Sequence, residues 1–296
     1  MQKVAFLGLG LMGSRMAARL LMAGVKLTAW NRGAERAAAL RDRGATIAAS
    51  PREAVWDADV IVSMVADDEA SRSVWTGENG ALAGARSDAV AVECSTLSPA
   101  WVLQLAERAA VAGLGFADAP VTGSKPQAEA GELLFLVGGD REVVERARPV
   151  LQPMSREIVH VGPVGSGARM KLVNNFMSGV QAAALAEALA FVEACGLEAG
   201  AAMSVLMNGA PGSPLVKTVG ARMMGRDYDV NFLLTLMRKD IAYAIDEAQR
   251  HGVTLRTAAA ARELYDAAIA DGRGGADFAA IAESVPGKPA SHDRRR

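Results

Sequence analysis

In the first half of the chain, apolar residues come in short runs broken by helical patterns and glycine-rich turns. Val4-Ala5-Phe6-Leu7 is one such run, and others lie at 25–30, 59–65, 89–94, 116–119, 133–137 and 158–161. Near-continuous apolar runs of this length suit strands buried on both faces of a parallel sheet. Helical patterns stand between them, most plainly at 14–23 and 141–151. Ser50-Pro51-Arg52-Glu53 has the form of a capping box with Pro at the first helical position, and Ser98-Pro99 opens another helix. From residue 165 the pattern changes. Residues 165–195 contain no Pro, begin after glycines and stop before Gly196, which predicts a single long helix. At ~1.5 Å per residue it spans roughly 46 Å. No residue between Leu172 and Ala186 is charged, so most of its circumference is expected to be buried. Beyond it, helices are predicted at 198–207, 215–224, 233–250 and 255–271, with glycine and proline between them.

The first apolar run leads straight into Gly8-Leu9-Gly10-Leu11-Met12-Gly13, then into a helical pattern and a second run. A GxGxxG between strand and helix is a dinucleotide-binding turn. Gly8 permits the tight turn, Gly10 lets a pyrophosphate approach the backbone, Gly13 lets helix and strand pack closely, and the helix start holds the phosphates. The second run ends in Asn31-Arg32 where an acidic residue would hold the ribose of NAD. Asn31 is neutral and Arg32 can bond a 2′-phosphate, so NADP(H) is the expected preference over NAD(H). Ligands bind beyond the carboxyl ends of such strands, which places Val65 and Ala66 over the cofactor. Thr96 follows the next strand and could donate a hydrogen bond there. The pattern predicts an α/β chain with an N-terminal Rossmann-type doubly wound sheet, a long interdomain helix and an all-α C-terminal domain. The expected divisions are 1–162, 163–285 and a disordered tail at 286–296.

Composition narrows the classes. The 296 residues are 51% hydrophobic and 22% charged, enough for a sizeable core in one large or two medium domains. A net charge of −1 gives no reason to expect nucleic acid or a membrane surface. Cys94 and Cys195 cannot make a disulfide framework, and neither they nor His160, His251 and His292 have metal-ligand spacing. Asn174, Asn175, Ser178 and Gln181 interrupt the apolar helix and argue against a membrane span. No signal-peptide pattern precedes the first strand, so the cytoplasm is the expected location. A helix this long and apolar also suggests a second subunit, as a homodimer or homotetramer.

Lys171 starts the buried stretch of the long helix, and Asn175 and Ser178 follow on the same face. A buried lysine is costly without partners or a function; a lysine snorkelling from a helix end is the alternative. Thr122-Gly123-Ser124, just past a strand, could present N–H groups and hydroxyls to a substrate carboxylate, or be an ordinary turn. On its own, the pair Lys239-Asp240 reads as a solvated helix face.

Four motifs stand in order: 8–13, Asp118-Ala-Pro-Val-Thr-Gly-Ser124, Gly167-Ala-Arg-Met-Lys171-Leu-Val-Asn-Asn175, and Lys239-Asp240 after Phe232. Together they resemble the β-hydroxyacid dehydrogenase family, which includes 3-hydroxyisobutyrate dehydrogenase, tartronate semialdehyde reductase and the glyoxylate/succinic semialdehyde reductases. Asn31-Arg32 and Gly123-Ser124 are most similar to the last branch. The resemblance implies an NAD(P)-dependent oxidoreductase of small hydroxy acids. It implies Lys171 as the catalytic lysine and Asn175 as the group that orients substrate. Thr122, Gly123 and Ser124 would clamp its carboxylate, with Thr122 where serine is usual. Thr96 and Lys239 would contact the cofactor, and Phe232 and Asp240 would line the pocket. Two other readings of the same architecture are an NADPH-dependent imine reductase, which generally lacks the lysine, and a non-catalytic NADP(H) sensor.

Overall fold

The computed structural model describes residues 2–285; the expected tail at 286–296 lies outside them. Contacts divide the chain into two compact units, one running to Leu172 and the other beginning at Val173.

The first unit is a sheet flanked by helices. Its strands are β1 (Lys3–Leu7), β2 (Lys26–Trp30), β3 (Thr46–Ile47), β4 (Val60–Ser63), β5 (Val90–Glu93), β6 (Gly115–Asp118), β7 (Val121–Thr122), β8 (Leu133–Gly139) and β9 (Ser155–Gly162). They lie in the order β3-β2-β1-β4-β5-β6-β8-β7, with β9 also on β8. From β3 to β6 every pairing is parallel. β8 runs antiparallel to β6 and β7 and parallel to β9. The helices are α1 (Gly13–Met22), α2 (Ala34–Arg41), α3 (Pro51–Val55), α4 (Asp68–Trp75), α5 (Pro99–Val111), α6 (Lys125–Ala130) and α7 (Arg141–Leu151). The order in which strands are added reverses between β1 and β4, which are parallel, so their carboxyl ends border the crevice where such folds take ligands.

The central strands are buried on both faces. Phe6, Val62 and Val92 pack into one core with Met16 and Leu20 of α1. Leu7, Ile61 and Ala91 pack into the other with Trp75, Trp101 and Leu105. These are the apolar runs read from the sequence, so fold class follows directly from them. Two helices and two strands of this sheet have weaker sequence signals. α2 is mostly alanine and charge, α4 is short and begins with acids, and β3 and β7 have only two residues each. β8 also runs further than expected. Gly138 and Gly139 stay in the sheet because both pair with β6.

The long helix, α8, covers Ser166–Ala194 in one 29-residue piece. It is apolar enough to cross a membrane by length and composition, though a third of its most apolar window is buried within the protein. The expectation that most of its circumference is buried does not hold for this chain. Val173 (51%), Met177 (49%) and Phe191 (71%) remain exposed along one side. Absence of charge predicts burial only if something covers every face.

The second unit contains most of α8 with α9 (Ala199–Asn208), α10 (Pro214–Gly225), α11 (Leu234–Arg250) and α12 (Arg256–Ala270). Its core joins Ala182 and Leu185 of α8 to Met203, Val219, Met237, Ile241 and Tyr265. Tyr265 is fully buried and donates its hydroxyl hydrogen to the Gly179 carbonyl at 3.2 Å. This bond satisfies the buried hydroxyl and ties α12 to α8.

Candidate active site

The glycine turn after β1 is shaped by backbone contacts. Gly8 has φ +98°, and a Cβ there would stand 2.4 Å from the Met64 carbonyl oxygen. A Cβ on Gly13 would stand 2.0 Å from the Gly8 carbonyl oxygen. Gly10 differs: the nearest atom to a Cβ on it is Arg36 Nη1, at 3.9 Å. The first and third glycines therefore close the turn, and the second leaves its backbone approachable beside a guanidinium. Leu9 is buried, Met12 half-buried and Leu11 exposed. An open backbone, a helix start and an arginine fit a pyrophosphate-bearing dinucleotide.

Asn31 closes this region from β2. Its Oδ1 accepts from the Leu9 N–H at 2.9 Å, and its Nδ2 donates to the Gly33 carbonyl at 2.8 Å. Both ends of the amide are engaged, so Asn31 holds the glycine turn and the β2 exit together. Arg32 is exposed. Arg36 escaped the sequence reading; its signal was a second arginine four residues after Arg32.

Glu93, the last residue of β5, organises the next two loops. It is fully buried and accepts from the Ser71 hydroxyl (2.9 Å), the Trp75 indole (2.8 Å) and the Ser95 N–H (3.0 Å). Burial raises its pKa, against the pull of these donors. The Ser71 hydroxyl in turn accepts from the Trp101 indole at 2.9 Å. Ser95 Oγ accepts from the Val65 N–H at 2.7 Å. One carboxylate thus fixes the loop of Thr96 directly and the loop of Val65 and Ala66 through Ser95. Thr96 is half-buried and Ala66 exposed. Cys94, next to Glu93, is buried with its thiol pKa pushed well up by burial and then by the neighbouring carboxylate, so it is a poor nucleophile.

Asp118, at the end of β6, is 1% exposed. Its Oδ1 accepts from the Gly165 N–H and its Oδ2 from the Ala168 N–H, each at 2.7 Å. Burial pushes its pKa up to about 6, opposed by those two backbone donors. The motif continues into β7, where Thr122 is half-buried. Gly123 has φ +121°, a conformation that suits glycine. Ser124 begins α6. Its N–H donates to Gln127 Oε1 at 2.9 Å and its hydroxyl to the same oxygen at 3.1 Å. Ser124 is therefore committed largely to starting that helix.

Lys171 is 8% exposed, one turn into α8 from the residues that Asp118 holds. Asn175 follows one turn later at 4% exposure. In the second unit, Asn175 Nδ2 donates to Asp240 Oδ2 at 2.5 Å, and Asn174 Nδ2 donates to Asn175 Oδ1 at 3.0 Å. The amide is fixed at both ends. The Lys239 ammonium lies 2.9 Å from Asp240 Oδ1 and 4.7 Å from the Tyr243 ring centroid. Lys239-Asp240 is not a solvated face: Asp240 is 1% exposed and the Lys239 side chain 16%. α11 turns the pair inward because Met237 and Ile241 on either side of it are core residues. Phe232 precedes α11. Its ring meets Phe278 edge-on at 5.9 Å, and its N–H donates to Asp277 at 3.0 Å. No group of metal-ligating side chains occurs among the described residues.

A sheet of this topology with a GxGxxG turn at its switch point defines a pyridine-nucleotide-binding Rossmann protein with a helical second domain. The comparisons agree. Residues 3–162 match the model described as the NAD binding domain of 6-phosphogluconate dehydrogenase. Residues 165–285 match that described as the NAD-binding of NADP-dependent 3-hydroxyisobutyrate dehydrogenase. The chain is 38% identical over 286 residues to 3-sulfolactaldehyde reductase of Escherichia coli, covering 96% of each. It is 36% identical over 282 residues to glyoxylate/succinic semialdehyde reductase 2 of Arabidopsis thaliana, covering 95% of this chain and 79% of that one. Among solved structures, Mycobacterium tuberculosis 3-hydroxyisobutyrate dehydrogenase with L-serine superposes with a TM-score of 0.87 at 32% identity, over 96% and 98% of the two chains. The chain belongs to the β-hydroxyacid dehydrogenase family and is an NAD(P)-dependent oxidoreductase acting on the CH–OH group of hydroxy acids.

The buried Asp118 generates a pH prediction. Its folded pKa, about 6, lies above the ordinary carboxyl value of 3.8. The folded state therefore binds more protons between those values, and this group's contribution to stability is full at low pH and lost as pH rises through 6. Relative to Asp118→Asn, the wild type should lose about 2 kcal/mol of stability between pH 4 and pH 7. Urea denaturation of both proteins across that range measures it. A difference that is flat, or that grows with pH, would mean the two backbone donors outweigh burial.

Proposed function

We propose that this chain is an NADPH-dependent reductase of a small carbonyl acid, with Lys171 as the general acid. The observation that carries the reading is a lysine 8% exposed on an apolar helix, one turn ahead of an asparagine whose amide is fixed at both ends. The reduced nicotinamide, when bound, supplies the hydride for the carbonyl carbon. The rest falls to the chain. A protonated Lys171 donates to the carbonyl oxygen as negative charge develops there, and accepts the proton in the direction of alcohol oxidation. Thr122, Gly123 and Ser124 hold the substrate carboxylate and so set its carbonyl against Lys171. Since Ser124 is engaged by Gln127, that contact rests mainly on Thr122 and Gly123. Asn175 orients the substrate, and Asp240 acts through Asn175 by fixing its amide. Phe232 lines the pocket, and Thr96 and Lys239 contact the cofactor.

Residues 1–162 form the dinucleotide-binding part in this reading, and 163–285 the substrate and oligomerisation part. The exposed apolar side of α8 supports a homodimer or homotetramer. The expected location is the cytoplasm. NADPH preference rests on the neutral Asn31 and on Arg32 and Arg36, both exposed. Candidate substrates are glyoxylate and the succinic, tartronate and methylmalonate semialdehydes. The E. coli relative adds 3-sulfolactaldehyde, whose sulfonate would take the place of a carboxylate.

NADPH consumption against this panel tests the reading. Wild type should turn over at least one compound, and Lys171→Ala should lose ~10²–10⁴ in kcat with NADPH affinity unchanged by calorimetry. Loss of NADPH binding in Lys171→Ala would make the lysine structural. No turnover by wild type with NADPH still bound would favour imines first and a sensing role second. For the cofactor, Arg32→Ala should raise the KM for NADPH by about 10-fold or more and leave that for NADH unchanged. Equal effects on both would remove the assignment to the 2′-phosphate.

A further inference from the structure

α8 begins without a cap of its own. A capping box satisfies the N–H groups of the residue before the helix and of the third residue within it, using the side chains at those two positions. Here the positions are Gly165 and Ala168, and neither side chain can accept a hydrogen bond. Asp118 supplies both acceptors from another strand, one oxygen to each N–H, at 2.7 Å. The approach is close enough to exclude side chains. A Cβ on Gly167 would stand 2.3 Å from the Leu136 carbonyl oxygen and 2.9 Å from Asp118 Oδ2. A Cβ on Gly138 would stand 2.6 Å from Asp118 Oδ1 and 2.9 Å from the Gly167 nitrogen. The first turn of α8 therefore rests directly on the backbone of β6 and β8. Lys171 is three residues beyond Ala168, and Thr122 is four residues beyond Asp118.

We propose that Asp118 is a positioning residue that sets Lys171 against the Thr122–Ser124 turn by locking the start of α8 to the strand leading into that turn. The inference rests on the reading of Lys171 as general acid. A carboxylate suits the task for two reasons. It accepts along two directions at once, which fixes both the rotation and the height of the helix. Its charge also meets the positive end of a helix, which favours the bond in a buried place. A longer, more flexible tether would hold the helix but not its rotation, and rotation decides where Lys171 points. Misplacement of a reacting group by about 1 Å can cost ~10² in rate.

A double-mutant cycle tests this, with Asp118→Asn, Lys171→Ala and both together, each checked for folding by circular dichroism. The probes are glyoxylate, succinic semialdehyde and 3-sulfolactaldehyde with NADPH, followed by product formation over long incubations. Asp118→Asn should lose about 10- to 100-fold in kcat with the dissociation constant for NADPH within twofold of wild type. The double variant should be no slower than Lys171→Ala, because Asp118 acts only through Lys171. A folded Asp118→Asn with wild-type kcat would overturn the proposal. So would a double variant slower than Lys171→Ala by the full factor that Asp118→Asn shows alone, the mark of a general structural defect. Wild-type turnover by Lys171→Ala would overturn the catalytic reading itself, and is distinguished by that variant alone. If Asp118→Asn does not fold, Asp118→Ser, which keeps one acceptor and removes the charge, takes its place in the cycle.

Discussion

The hydrogen bonds from the backbone of Gly165 and Ala168 to the Asp118 carboxylate fix where the long helix begins. Much of the rest depends on that point. Lys171 lies on the second turn of α8, so the direction and rotation of the first turn decide where that side chain stands. The bonds also join it to the end of β6, a strand of the nucleotide-binding sheet. Burying a carboxylate costs several kcal/mol. Here two backbone donors and the helix end offset that cost, and the pKa of about 6 records the remainder. At neutral pH the group is mostly ionised and the acceptors are in place.

The same device recurs through the chain. Glu93 ends β5 and holds Ser95, which holds Val65. Asp277 accepts from the N–H groups of Asn231, Phe232 and Ala279 and so fixes the entry to α11. Asp240 fixes the amide of Asn175. Glu93 and Asp277 are nearly fully buried acids placed where a strand or helix meets a loop, and Asp240, equally buried, stands between Asn175 and Lys239. An apolar contact would fill the same space but would not select an orientation; a carboxylate with directed donors does. The protein thus places buried acids at the points from which its candidate site residues project.

The sheet was legible because its strands are buried on both faces, which leaves an unbroken apolar run for each. The glycine turn was legible because backbone contacts exclude side chains at Gly8 and Gly13, while Gly10 between them keeps its backbone open, as the motif requires. What could not be read was longer in range. Nothing local to α8 says that Asp118 starts it; the only trace is an acid in the apolar run Phe116-Ala117-Asp118-Ala119, paired with a helix start that lacks acceptors. Glu93 left the same trace in Val90-Ala91-Val92-Glu93-Cys94. Lys239-Asp240 misled because a charged pair on a helix is usually solvated, and its burial is set by neighbouring helices. The exposure of Val173, Met177 and Phe191 was missed because composition does not say which faces a helix leaves uncovered.

The central claim is that Lys171 moves a proton, and chemical rescue tests it most directly. Small primary amines would be added to Lys171→Ala in the presence of NADPH and the carbonyl acid that wild type reduces best. If Lys171 is the general acid, turnover should rise with amine concentration and depend on the amine's pKa and size, since a free ammonium ion enters the space left by the side chain. A folded Lys171→Ala that binds NADPH, stays inactive and gains nothing from any amine would contradict the account. The lysine would then hold the helix or the substrate, and the proton would come from elsewhere.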